Sequence, residues 1–145
     1  MDYRSAFQIS ASGMTVEKLR VDVTAVNLAN VHSTKGADGK LFRPMRVVSH
    51  ESVGFAATMR QMGFSAALPG AAVATVESID APPRMVQDPG NPQADEKGFV
   101  AYPGINQVNE MVTLMTAVRA YEANVIAMNV AKTLAVKALE IGGNS

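Results

Sequence analysis

The sequence has no cysteine and no tryptophan among its 145 residues, and only 6% of it is aromatic. The absence of cysteine excludes disulfides, thiolate metal sites and a cysteine nucleophile. Alanine, valine and nine methionines supply much of the apolar bulk. This composition suits helix-against-helix packing better than a large aromatic core, and methionine gives an adaptable contact surface.

The chain also lacks net charge, because 13 basic residues balance 13 acidic ones. No run of lysine and arginine stands out, so the electrostatic footprint of a nucleic-acid-binding protein is missing. No stretch of 18 apolar residues is present, and we therefore expect no membrane-spanning helix. The first ten residues do not follow the pattern of a secretory signal, so export would need a route without a cleaved signal.

Helical spacing of apolar residues marks the two ends of the chain, at residues 5–30 and 107–141. At 1.5 Å per residue, the second segment would span about 50 Å, whereas a compact domain of this size is about 30 Å across. A helix longer than its own domain needs partners from other chains. The sequence therefore indicates assembly before it indicates chemistry.

Both terminal segments keep a three-to-four-residue apolar spacing, which favours coiled-coil packing, and we expect them to pair. Asn106 is the predicted N-cap of the second helix, and Glu110 in its first turn suits the helix dipole. Two sets of residues follow the stripes: Val16, Leu19, Val23, Val26 and Asn30 in the first segment, and Met111, Leu114, Val118, Tyr121, Val125 and Met128 in the second.

The middle of the chain changes character, because prolines and alternating patterns replace helical spacing. We predict strands at 41–52, 72–79, 84–86 and 99–102, and a flexible loop at 53–71. The predicted fold is mainly α with a small β-rich insert. Its parts are an N-terminal coiled-coil helix and turn (1–36), a central β domain (37–105) and a C-terminal coiled-coil helix (106–145).

Two short motifs resemble the terminal signatures of bacterial flagellar rod, hook and filament-junction proteins. The first is Asn27-Leu28-Ala29-Asn30 with Gly13 upstream, and the second is Arg119-Ala120-Tyr121-Glu122-Ala123-Asn124. The segment from Asp88 to Pro92 and the residues up to Pro103 are similar to the proximal rod proteins of that group. The resemblance covers nearly the whole chain, and both signatures occur in the expected order.

The resemblance implies a structural, non-enzymatic subunit of the flagellar basal-body rod, which crosses the periplasm. Its implied partners are further copies of itself, other rod proteins and the flagellar type III export apparatus, without nucleic acid or a small-molecule substrate. With the motif residues Asn27, Arg119, Glu122 and Asn124 added, the stripe residues above form the predicted assembly interface.

Two pairs of polar residues leave alternatives open. Asn27 and Asn30 could cap and bond locally or fix the register between subunits as buried amides, and these two roles are compatible. Arg119 and Glu122 form either a solvated pair within one helix or a bridge between subunits.

No catalytic, cofactor or metal site is expected. His32 and His50 share no helical spacing with carboxylates, and no nucleophile elbow or phosphate-binding loop is present. Two other functions remain open: another rod subunit of the same family, or a self-contained helical adaptor such as a secretion chaperone.

Overall fold

Two long helices flank four short strands in the computed structural model, which describes residues 3–51 and 72–143. Helix α1 is Tyr3–Ala29, with 27 residues, and helix α2 is Gln107–Gly143, with 37 residues. The predicted fold class, two long terminal helices around a small β-rich centre, is confirmed. The predicted loop at 53–71 lies outside the described residues.

Local signals set two of the helix ends. Asn106 caps α2, because its side-chain oxygen accepts a hydrogen bond from the Asn109 N–H at 3.1 Å. Glu110 lies in the first turn, where its charge suits the dipole. Helix α1 ends at Ala29, and the next residue, Asn30, still donates its backbone N–H to the Val26 carbonyl at 3.2 Å.

The strands form two separate two-stranded sheets, β1 with β2 and β3 with β4. The four strands are β1, Met45–Glu51; β2, Ala72–Ser78; β3, Arg84–Gln87; and β4, Phe99–Tyr102. Strand β1 begins directly after Pro44, whose missing N–H restricts it to such a position. The Pro44 carbonyl still accepts a hydrogen bond from the Ile79 N–H at 2.7 Å.

The β3–β4 hairpin is held by its own loop. The strands pair antiparallel with Val86 opposite Val100, and Val100 is almost completely buried. The Asp95 carboxylate accepts a hydrogen bond from the Phe99 N–H at 2.8 Å, and the Asp95 N–H donates to the Phe99 carbonyl at the same distance. Gly98 allows this turn, because its φ of 78° lies in the left-handed region.

Contacts divide the chain into two compact units, which we describe separately. The first comprises Met1–Leu19, Ser49–Thr75 and Ala117–Ser145, and the second comprises Arg20–Val48 and Val76–Thr116. Buried side chains of the first unit include Ser10, Val16, Ala117 and Ala131; those of the second include Val23, Thr24, Asn27, Val31, Val100 and Ile105. The domain boundaries derived from the sequence stay a prediction.

Candidate assembly interface

One face of α2 is used within the chain, and we call it the inner face. Ala117, Asn124 and Ala131 define it, each seven residues from the next, and both alanines are buried. The Asn124 side chain lies against Gly13 of α1, where an added Cβ would approach the Asn124 amide to 2.9 Å. Small residues at such positions let two helices approach closely.

A second apolar surface runs along the opposite side of α2, and we call it the outer face. It consists of Val112, Met115, Arg119, Glu122, Ile126 and Val130. Two residues correspond to about 200° around a helix, which places Ile126 across from Asn124. The four apolar members are more than half exposed, and Ile126 reaches 63%. Large exposed apolar side chains grouped along one helix face in this way indicate an interaction site.

The residues of the predicted interface occupy three environments. Buried are Val16, Val23 and Asn27; partly buried are Leu19, Asn30, Leu114, Asn124, Val125 and Met128; exposed are Val26, Met111, Val118, Arg119, Tyr121 and Glu122. Their contact with neighbouring subunits stays a prediction.

Sequence reasoning missed the alanines of the inner face. The predicted stripe was traced through bulky apolar residues such as Val118, which is 40% exposed, whereas Ala117 beside it is buried. The sequence pattern that could have identified this face is the seven-residue spacing of Ala117, Asn124 and Ala131. Gly13 on α1 belongs to the same close approach.

Asn27 joins three elements of the second unit and is only 1% exposed. Its amide nitrogen donates to the Met45 carbonyl at 2.7 Å and to Glu110 Oε2 at 3.1 Å. Its amide oxygen accepts from the Met45 N–H at 3.0 Å. The end of α1, the start of β1 and the first turn of α2 therefore meet at this one side chain, which we call the Asn27 clasp.

Asn30 behaves differently from Asn27, although only three residues separate them. Its amide nitrogen donates to the Val26 carbonyl at 2.8 Å, one turn back in α1. For Asn30 the structure therefore shows the local alternative. For Asn27 it shows a third arrangement, a buried bond network within the chain, that neither alternative described.

Arg119 and Glu122 do not form the solvated pair that their spacing allowed. Both are exposed on the outer face, and no ion pair joins them within residues 3–51 and 72–143. The ion pairs that the structure does show on the β1–β2 side are Arg46 with Glu77 and Arg43 with Asp80, each at 3.2 Å. Both pairs are solvated, so each contributes little to stability.

The described residues hold no group of three or more histidine and acidic side chains that could bind a metal ion. Within the same ranges, neither helix has the length and apolar character needed to cross a bilayer.

Comparison of the sequence with known proteins indicates the class of protein to which the chain belongs. The family described as flagellar basal body rod FlgEFG protein C-terminal matches residues 96–141, which include most of α2. The C-terminal third of the chain therefore has the sequence signature of the class of flagellar basal-body rod proteins.

Individual relatives narrow the class. The chain is 39% identical to the flagellar basal-body rod protein FlgC of Escherichia coli O6:H1 over 136 residues, covering 94% of this chain and 95% of the relative. It is 37% identical to FlgC of Bacillus subtilis over 144 residues, covering 94% and 96%. It is 37% identical to FlgC of Aquifex aeolicus over 142 residues, covering 97% of each. The chain belongs to the FlgC family of rod proteins, and this result does not favour the adaptor or chaperone alternative.

Proposed function

We propose that the chain builds the proximal part of the rod by packing its terminal helices against neighbouring subunits. The observation that carries this proposal is the outer face of α2. A helix that already buries its inner face within the chain has no need of a second apolar surface for its own fold. Exposed residues such as Ile126 and Val130 gain burial only when another chain covers them.

The predicted interface residues divide between two roles in this proposal. The exposed members, Val26, Met111, Val118, Arg119, Tyr121 and Glu122, contact neighbouring subunits directly. The buried members Val16, Val23 and Asn27 shape the helix pair that presents those residues. The neighbours are further copies of this chain and other rod proteins, and the central β domain (37–105) lies on the outside of the rod.

The proposal includes the route and the place of assembly. The subunit passes through the flagellar type III export apparatus without a cleaved signal, and it joins the rod where the rod crosses the periplasm. Its role is structural and involves no catalysis. Support comes from the family of its relatives.

A matched pair of substitutions tests the assembly role. Val118 on α2 is 40% exposed and Val76 on β2 is 44% exposed, so an aspartate at either site should leave the isolated subunit folded. Once a neighbour covers Val118, the buried charge of Val118→Asp costs several kcal/mol. Val118→Asp should therefore be absent from purified basal bodies, whereas Val76→Asp should be present at the normal level.

The measurement is the amount of tagged chain in basal bodies from cells whose own copy is deleted, together with swimming. Far-ultraviolet circular dichroism of each purified variant checks that folding is preserved. Normal incorporation and swimming with Val118→Asp would contradict assembly through the terminal helices.

A further inference from the structure

Helix α1 also has an outer face. This face carries two small side chains and two charged ones. Ala11, Thr15, Lys18 and Asp22 define it; they follow one another at four-, three- and four-residue spacing, and all are exposed. The Thr15 hydroxyl donates to the Ala11 carbonyl at 3.0 Å, so this hydroxyl already has a partner within its own helix. The outer face of α1 is thus a shallow surface with one positive and one negative charge.

The outer face of α2, in contrast, carries large side chains. Val130 and Ile126 project from it, and Glu122 and Arg119 follow toward the start of the helix. From Ala11 to Asp22 on α1 is eleven residues, and from Arg119 to Val130 on α2 is also eleven. Both stretches are therefore about 16 Å long.

The four charged side chains on these two faces are available for partners. Lys18, Asp22, Arg119 and Glu122 are all exposed, and none takes part in an ion pair in the part of the chain that the structure describes. Each helix alone could have paired its own two charges, at i, i+4 or i, i+3 spacing. Neither helix does so.

We propose that the outer face of α2 in one copy docks on the outer face of α1 in the next copy. When the two helices run antiparallel, Glu122 meets Lys18 and Arg119 meets Asp22. In the same register, Ile126 lies over Thr15 and Val130 lies over Ala11. Large apolar side chains thus fit against small ones, and both pairs of charges are complementary.

This contact rests on the proposed function and specifies its geometry. The contact is heterologous, because it joins two different surfaces. An assembly of any number of copies therefore keeps one unused α1 face at one end and one unused α2 face at the other. Such a contact can propagate, as growth of a rod requires. A symmetric contact between two α2 outer faces could also pair Arg119 with Glu122, but it would close at a dimer.

This chain contains no cysteine, so every thiol that it carries in a cross-linking test is one that is introduced. The chain with both Lys18→Cys and Glu122→Cys is expressed in cells whose own copy is deleted. Purified basal bodies are then treated with a short bis-maleimide, and the tagged chain is separated by size. We expect dimers and higher oligomers, which grow because each copy carries both halves of the contact.

Three control chains define the specificity. Chains with Lys18→Cys alone or Glu122→Cys alone should stay monomeric. A chain with Lys18→Cys and Lys132→Cys should also stay monomeric, because Lys132 is exposed but lies away from the outer face of α2. Dimers from Glu122→Cys alone would show the symmetric contact and overturn the proposal. Oligomers from the Lys132 control equal to those from the test chain would overturn it as well.

Charge reversal gives a second, independent measurement in case the double-cysteine chain does not assemble. Lys18→Glu alone and Glu122→Lys alone should each reduce incorporation and swimming, because each reversal places two like charges in contact. The chain with both reversals restores the pair and should recover at least half of the normal incorporation. Failure of the double reversal to improve on either single change would overturn the proposal.

The same basal bodies separate the two proposals. If the unmodified chain is present in them but the double-cysteine chain, once incorporated, gives only monomers, the docking register is wrong and the assembly function stands. If the unmodified chain is absent from them, the proposed function fails, and the docking contact fails with it.

Discussion

The Asn27 clasp gives the sharpest prediction about the stability of this fold. Replacing Asn27 with alanine removes all three of its side-chain hydrogen bonds, two to the Met45 backbone and one to the Glu110 carboxylate. The site is 1% exposed, so water does not readily take the place of the amide. The N–H and C=O of Met45 would be left without these partners.

The cost can be estimated from the individual bonds. Each neutral hydrogen bond contributes about 1 kcal/mol net, and a bond to a charged group contributes about 1.5–3 kcal/mol. The Asn27 bonds together therefore account for about 4 kcal/mol. Alanine has a higher helix propensity than asparagine, and this difference stabilises the variant by about 0.7 kcal/mol. We expect Asn27→Ala to lower the free energy of unfolding by about 3 kcal/mol, a large part of the 5–15 kcal/mol typical of a domain.

Urea denaturation of the purified chain, followed by far-ultraviolet circular dichroism, measures this change. Asn30→Ala is the matched control, because Asn30 loses only a single bond to the Val26 carbonyl in its own helix. That control should change the free energy of unfolding by no more than about 0.5 kcal/mol. Amide exchange at the Met45 N–H should become faster in Asn27→Ala and not in Asn30→Ala. Equal effects of the two substitutions on stability would refute the clasp.

Three other substitutions have expected outcomes. Gly104→Ala should destabilise the chain by more than about 2 kcal/mol in urea denaturation, because its Cβ would overlap the backbone carbonyl of Pro82. Gly13→Leu should destabilise it by a similar amount in the same assay by forcing α1 away from Asn124, whereas Ala11→Leu on the exposed side should not. Asp95→Ala should speed amide exchange at Phe99 roughly fivefold or more by removing a bond worth about 1.5 kcal/mol, and unchanged exchange there would contradict the role of Asp95.

The sequence predicted those parts of the fold that depend on local signals. The second helix begins at Gln107 as expected, because the Asn106 cap acts within its own first turn. The first helix differs from its predicted bounds by two residues at the start and one at the end. The strand after Pro44 was also predicted, though four residues too early, because the preceding apolar residue Leu41 resembled a strand position.

The pairing of the helices was predicted, and Gly13 and Asn124 were named in the two motifs, but the stripe traced on α2 did not include the buried Ala117 and Ala131. Tracing bulky side chains favoured Val118, whereas Gly13 of α1 lies close against the Asn124 side chain of α2 and Ala117 is buried. Small residues carry little hydrophobic signal, yet they decide how closely two helix axes approach. The role of Asn27 was out of reach for a different reason, since its partners at Met45 and Glu110 come from distant parts of the chain.

The Asn27 clasp also determines when the fold can be completed. Glu110 lies 83 positions after Asn27 in the chain, and Met45 lies 18 positions after it. A ribosome that has made only the first 105 residues has produced α1 and the four strands but not the Glu110 carboxylate that completes the bond set. Contacts of such high sequence separation form late, because the loop between them must close first. The end of α1 therefore lacks one of its hydrogen-bond partners until synthesis has passed Glu110.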